Sequence, residues 1–267
     1  MYKVKDALLD SLSKIEDEEV GLLLSGGSGS ASVLFALLDL GKKVHAYTFH
    51  MEDVESTDLI KARELCEKMN VKFTSIPLPR DLDVIKKDLL YLINDVGCRL
   101  KTDVECVFPI KHTLPYVKQN VLTSGLGDDN FFGLSKHAQI NYKQTAELMD
   151  EYREKAFNAY EVQMNLMRNM AKEKGIFLHS PYQSHKMVKV FKGTEWNEIN
   201  KPKRKQWILD SYPELFSDMK CYHANYQKGD SGISDAFLPL LESDWNIRGY
   251  KRTDGIYNSI ARGEITE

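Results

Sequence analysis

The sequence predicts a doubly wound α/β fold, a parallel β-sheet covered by helices on both faces, with a helical C-terminal part. Three observations carry that prediction. Short apolar runs alternate with segments of helical periodicity from about residue 20 to residue 124. The first run, Val20 to Leu24, is short enough to be a buried strand, and it ends in the hexapeptide Ser25-Gly26-Gly27-Ser28-Gly29-Ser30, which leads straight into an apolar helical segment. A later run, Asn120 to Ser124, also opens into a glycine-rich stretch.

The elements follow in order. Val4, Ala7, Leu8, Leu12 and Ile15 recur at helical spacing and predict a first amphipathic helix. Ala31 to Leu40 is the partner helix of the first strand, ended by Gly41. Val44 to Phe49 is a second strand, and Ser56 to Met69 a helix with Ser56 or Thr57 as its cap. Val71 to Ile76 makes a third strand closed by Pro77 and Pro79, and Leu82 to Ile93 is helical. Val104 to Val117 reads as a helix broken near Pro109 and Pro115, before the fourth strand at 120–124. Tyr142 to Lys174 has no proline and predicts one long helix or two joined ones. Phe191 to Tyr212 is partly helical and strongly basic from Lys201 to Lys205. From about Cys221 the Gly, Ser, Asp and Tyr content rises and periodicity fades, which predicts irregular structure with short elements. The chain thus divides into an N-terminal helix (1–19), a main domain (20–215, helix-rich from about 140) and an irregular extension (216–267).

At 267 residues, with 42% hydrophobic and 28% charged residues, the composition is that of a globular protein. A formal charge of −3 gives no electrostatic footprint for nucleic acid or an anionic membrane. No apolar run approaches the ~20 residues needed to span a bilayer. The first residues lack the apolar core of a signal peptide, so a cytoplasmic location is expected. Cys66, Cys98, Cys106 and Cys221 contain no C-x-x-C pair, which argues against a zinc ribbon and a dithiol redox motif.

Two segments carry chemistry. In the Ser25–Ser30 loop, glycines let backbone N–H groups approach an anion, and the dipole of the following helix favours negative charge there. The loop is neither a Walker motif, lacking its length and its Lys-Ser/Thr ending, nor a dinucleotide fingerprint. The second segment is Thr123-Ser124-Gly125-Leu126-Gly127-Asp128-Asp129-Asn130-Phe131-Phe132-Gly133. It follows another strand, so it opens onto the same sheet edge, where doubly wound folds bind ligands. Two adjacent carboxylates beside a phosphate cradle suit a magnesium–ATP complex, because Mg²⁺ takes one or two carboxylates plus phosphate oxygens.

The hexapeptide resembles the Ser-Gly-Gly-x-Asp-Ser loop of the PP-loop ATP pyrophosphatases, a group with the adenine nucleotide alpha hydrolase-like fold. Thr123 to Gly133 resembles the Leu-Ser-Gly-Glu-Gly-x-Asp-Glu-x-Phe-Gly signature of the asparagine synthetase synthetase domain, which β-lactam synthetases share. His179 to His185 is similar to that domain's later Pro-Phe-Leu-Asp segment, and Lys203 to Leu209 to its Lys-x-x-Leu-Arg element. The four landmarks stand in the family's order. The resemblance implies an AMP-forming carboxylate–amine ligase using ATP and Mg²⁺, with an acyl-adenylate intermediate and pyrophosphate release. It implies that Ser25, Gly26, Gly27, Ser28, Gly29 and Ser30 form the loop that holds the β- and γ-phosphates. Thr48, Phe49 and His50 would lie against adenine, and Ser124 and Gly125 would contact the nucleotide. Asp129 would hold Mg²⁺, and Lys205, with Lys203 as competitor for the role, would neutralise developing charge.

The family's pattern is not kept throughout. Gly29 replaces the loop Asp, Leu126 the Glu near the attacking amine, and Ser184 the Asp after Pro-Phe-Leu. A leucine cannot accept a proton or orient ammonia, so the departures bear on amide formation more than on nucleotide binding. Asp128 adds a carboxylate where the family has a small residue, and it offers a replacement metal ligand. Glutaminase-fused relatives begin with a cysteine after Met; here that residue is Tyr2. The nitrogen donor is therefore expected to be free ammonia, an amine substrate, or ammonia from a separate glutaminase subunit. Arg99, Lys101 and Arg248 are candidate clamps for an acidic substrate. Two alternatives stay open at this point: another PP-loop adenylating enzyme that modifies a nucleobase, and a degenerate, non-catalytic nucleotide-binding protein.

Overall fold

The computed structural model describes residues 3–219, 233–242, 245–246 and 248–266. Tyr2 and Cys221 lie outside the described residues. Helix α1 (Val4–Leu12) leads into β1 (Glu19–Leu23), and α2 (Ser28–Asp39) returns to β2 (Lys43–Met51). Then come α3 (Thr57–Met69), β3 (Lys72–Leu78), α4 (Leu82–Asn94), α5 (Lys101–Thr113) and β4 (Val121–Ser124). Two short helices, α6 (Asp129–Phe132) and α7 (Lys136–Asn141), precede the long α8 (Ala146–Glu173) and β5 (Phe177–His179). The chain continues through α9 (His185–Phe191), α10 (Trp196–Asn200), α11 (Gln206–Leu209), α12 (Pro213–Ser217), α13 (Ile233–Leu241) and α14 (Thr253–Ala261).

The five strands are parallel throughout, in the order β3-β2-β1-β4-β5. Because successive strand side chains point to opposite faces, the sheet feeds two cores. Val20, Leu22, Val44 and Ala46 join a cluster with α1, α2, α3 and α9. Leu23, Tyr47, Phe49 and Met51 join the other, with α4, α5, α13 and α14. The expected doubly wound architecture is therefore the one observed. Chain order reverses at β1, which has β2 on one side and β4 on the other. That reversal opens a crevice beyond their carboxyl ends.

Several elements differ from the sequence reading for identifiable reasons. Pro77 lies inside β3, opposite His50, and is tolerated because β3 is an edge strand that needs no N–H on its open side. Pro109 lies within α5 rather than ending it. Burial of Val104, Val107, Phe108 and Ile110 outweighs a penalty of about 3 kcal/mol for an internal proline. Strand β5 is three residues long, too short for a period to show.

The segment 216–267, expected to be irregular structure with short elements, contains the nine-residue helices α13 and α14. Pro239 and Gly255 mask them in the sequence, but Ile233, Phe237, Leu241, Ile256, Tyr257 and Ile260 are buried in the second core. Thr253 Oγ1 and Tyr257 OH donate hydrogen bonds of 2.7 and 3.3 Å to Glu105, which is fully buried on α5. Cys66, Cys98 and Cys106 are buried thiols. Burial pushes the Cys66 and Cys98 thiols up to about 12, so these are inert small hydrophobes. Among the described residues, no helix is long and apolar enough to cross a membrane.

His179, at the end of β5, lies 3.0 Å from Ser11 Oγ. Burial, reinforced by the positive charges of Arg168 and Lys14, pulls its imidazole from 6.5 down to about 4. The native state thus keeps His179 neutral where the unfolded chain protonates it. Its contribution is complete above pH 6.5 and is lost as the pH falls through that window to about 4. The loss has an upper bound of about 3 kcal/mol. Urea unfolding across this range should show a His179→Gln variant with a flatter acid limb than the wild type.

Candidate active site

Strands β1 and β4 lie side by side with Leu23 opposite Ser124, so the loops leaving them open at one place. Ser28, Gly29 and Ser30 form the first turn of α2 and Gly27 is its N-cap, which leaves the first N–H groups of a 12-residue helix without intrahelical partners. The loop is held closed by its own hydroxyls. Ser25 N–H donates to Ser30 Oγ at 3.2 Å, and Ser30 Oγ donates to the Gly27 carbonyl at 3.3 Å. Gly26 adopts φ +70°, and a Cβ there would lie 2.6 Å from Lys61 Cβ on α3, so only glycine fits the turn. The β4 loop meets this cradle backbone to backbone: a Cβ on Gly125 would lie 2.4 Å from Ser30 N and 2.6 Å from Gly29 C.

Together the two loops enclose a cavity of about 620 Å³. Its walls bring together Ser25, Gly27, Ser28, Gly29, Ser30, Thr48, Phe49, Ser124, Gly125, Asp128, Asp129, Lys203 and Lys205, so most of the expected site residues converge. Thr48 Oγ1 donates to the Leu24 carbonyl, which ties β2 to β1 at the cavity wall. Two expected residues stay outside. Gly26 faces α3, and His50 turns away to place Nδ1 2.9 Å from the Met51 carbonyl and 3.1 Å from that of Val54.

The charged centre is a trio in which Lys205 and Asp128 are buried and Asp129 is exposed. Lys205 Nζ lies 2.6 Å from Asp128 Oδ2 and 2.8 Å from Asp129 Oδ1. The lysine is delivered by its backbone, which takes the left-handed conformation (φ +58°) ahead of α11. Its N–H donates to Asn200 Oδ1 at 3.1 Å, and Asn200 Nδ2 in turn donates to the Phe132 carbonyl at 2.9 Å. A non-glycine residue held at positive φ is a local strain that the surroundings must over-determine. Lys203, two residues earlier, is exposed at the cavity rim, so burial separates the two competing lysines. Burial raises the Asp128 carboxyl to about 6, against the opposing pull of the Lys205 ammonium. For Lys205, burial alone would lower the pKa, but the two facing carboxylates more than offset it and hold it above its ordinary value. The ammonium therefore stays charged.

The site has the features that a nucleoside triphosphate with a divalent cation requires. Ser124 Oγ is fully buried in the cavity wall with no hydrogen-bond partner, and so is Asn130 Nδ2. A buried polar group without a partner costs free energy, which a polar ligand recovers. Two carboxylates are also what Mg²⁺ needs when phosphates supply its remaining ligands. Among the described residues, no group of three or more His, Cys, Asp or Glu forms an all-protein metal cage.

Asp58 from α3, Cys106 from α5, Tyr160 from α8 and Arg204 also line the cavity, and sequence reasoning missed them. Asp58 reads locally as a residue of a helix's first turn, and Cys106 and Tyr160 as core-facing helix positions. Leu126 lines the wall beside them. Ser184 instead caps α9, accepting from Met187 N–H at 3.2 Å. Arg99, Lys101 and Arg248 do not line the cavity. They bond to the Ile93 carbonyl, Glu105 and Glu264 respectively.

Over 72 residues the chain is 32% identical to the Microcin J25-processing protein McjC of Escherichia coli. That stretch is 27% of this chain and only 14% of McjC. Among solved structures it is similar to a predicted tRNA methyltransferase subunit from Methanocaldococcus jannaschii (TM-score 0.37, 19% identity, covering 64% of this chain and 73% of that one). It is also similar to the NH3-dependent NAD synthetase of Campylobacter jejuni (0.36, 14%, 64% and 91%) and to the U34-tRNA thiolase NcsA of Methanococcus maripaludis (0.41, 14%, 98% and 79%). These structural likenesses are too distant to assign a reaction. The profile of one family, asparagine synthase, matches residues 3–209, from α1 to the end of α11. With most of its length matched and the glycine loops, acids and lysine gathered in one cavity, the chain belongs to the asparagine synthase family.

Proposed function

We propose that the chain is an ATP-dependent, AMP-forming carboxylate–amine ligase. The observation that carries the reading is the meeting of two glycine-rich loops around the buried Asp128–Lys205 pair, with the exposed Asp129 beside it, in one cavity. The N–H groups opening α2 and the Ser25, Ser28 and Ser30 hydroxyls would hold the β- and γ-phosphates. Thr48 and Phe49 would flank the base, and Ser124 would bond the nucleotide. Asp129 and Asp128 would hold Mg²⁺, which supplies charge neutralisation when bound.

A substrate carboxylate oxygen would bond to the α-phosphorus as the bond to the bridging oxygen breaks and pyrophosphate leaves. The amine nitrogen would then attack the acyl carbon, losing a proton as AMP departs with the bonding electrons. Negative charge builds on the phosphates in the first step, and Lys205 is a preorganised cation beside it. Such electrostatic preorganisation is worth several kcal/mol. Leu126 gives the second step no general base, so positioning does most of the work there. The nitrogen would come from free ammonia, an amine substrate or a separate glutaminase subunit.

Hydroxylamine stands in for any of these donors. A screen of carboxylates with ATP, Mg²⁺ and hydroxylamine should yield a hydroxamate and pyrophosphate with at least one acid. ATP consumption that releases ADP would refute the reading. Ser124→Ala gives a second check. The hydroxyl has no protein partner, so thermal melting should be unchanged. Calorimetric ATP affinity should fall about tenfold, the value of one hydrogen bond of about 1.4 kcal/mol.

A further inference from the structure

Gly29 lies in the first turn of α2 and has no left-handed backbone angle to explain it. Glycine is a poor helix former, so its presence calls for a reason elsewhere. A Cβ built on Gly29 would lie 2.2 Å from Asp128 Oδ2, 2.6 Å from its Cγ and 3.2 Å from its Oδ1. The carboxylate of one loop fills the volume that a side chain on the other would need. That carboxylate is nearly buried, bonded to Lys205 at 2.6 Å, and shares its cavity with the fully buried, partnerless Ser124 hydroxyl.

We propose that Gly29 and Asp128 are one functional position divided between two loops: the carboxylate that faces Lys205 and the nucleotide's cation at the mouth of α2 is delivered from the β4 loop, and Gly29 is the vacancy that admits it. This rests on the nucleotide-binding part of the function proposed above. The carboxylate at this place can therefore come from residue 128 or residue 29, but not from both. Gly29→Asp alone drives two side chains into one volume, against the rigid first turn of α2. Asp128→Ala alone empties the volume and leaves Lys205 with Asp129. The double variant supplies the carboxylate from the other side.

The test is a double-mutant cycle on the full chain, because residues that share a volume are strongly non-additive. Binding of α,β-methylene-ATP is titrated calorimetrically with Mg²⁺ and again with EDTA, and each variant is melted without ligand. Asp128→Ala should lose roughly 30-fold or more of the Mg²⁺-dependent affinity and melt below the wild type, because buried Lys205 keeps only the exposed Asp129 as partner. Gly29→Asp should lower both the melting temperature and the affinity. Gly29→Asp/Asp128→Ala should melt within a few degrees of the wild type and recover Mg²⁺-dependent affinity to within about fivefold of it. A double variant no better than the worse single variant would overturn the assignment while leaving nucleotide binding intact. A wild type that binds no nucleotide would overturn both.

Discussion

Replacing Lys205 with Met is expected to lower carboxylate-dependent pyrophosphate release by about a thousandfold or more. Loss of one preorganised group that stabilises developing charge costs about 3–4 kcal/mol in the transition state. Here the lost group is the only buried cation among the described residues lining the cavity. The substitution also breaks a buried ion pair, which ordinarily costs about 3–5 kcal/mol because the surviving charge is stranded. Asp128 has a way out. Burial already holds its carboxyl near 6, and without the ammonium it rises further and takes up a proton. The stability loss in Lys205→Met should therefore be smaller at pH 5 than at pH 8, as chemical denaturation at the two pH values would show. Lys203→Met, at the exposed rim, should change neither stability nor its pH dependence. Equal losses of pyrophosphate release in the two variants would argue that burial does not select the working lysine.

Gly125→Ala should do comparable damage by a different route. Its new methyl group would sit 2.4 Å from Ser30 N and 2.6 Å from Gly29 C, both backbone atoms of the first turn of α2. Backbone cannot rotate away as a flexible side chain can, so the two loops must part. Overpacking of this kind costs about 3 kcal/mol. Separation also dismantles the cradle, because the β1 loop and Ser124 no longer face one ligand. ATP affinity should drop by more than about a hundredfold, far beyond the effect of removing the Ser124 hydroxyl alone. Calorimetric titration beside thermal melting separates the two outcomes. Wild-type affinity in Gly125→Ala would mean that the loops do not act as one cradle.

Much of the fold was legible because its signals are local. The run Val20–Leu24 followed by small residues and an apolar helix encodes a parallel crossover in about 20 residues. Helices α13 and α14 were not legible, since Pro239 and Gly255 disguise segments whose order comes from burial against α4 and α5. The site shows the same division. The two glycine-rich loops and the acids at 128 and 129 are contiguous in sequence and could be read. Choosing between Lys203 and Lys205 could not be, because it depends on the left-handed backbone at Lys205 and on Asn200. Tyr160 and Cys106 reach the cavity from α8 and α5, and nothing local distinguishes them from core residues. The sharing of space by Gly29 and Asp128, 99 positions apart, exists only in the folded chain.

The most direct test of the proposed ligase chemistry is phosphorus NMR of the products formed from ATP and Mg²⁺ with a panel of carboxylates and ammonia. The expected result is AMP and pyrophosphate in equal amounts, dependent on one class of carboxylate and absent in Lys205→Met. ADP and orthophosphate would contradict it, because cleavage at the γ-phosphate requires a different placement of ATP between the two loops.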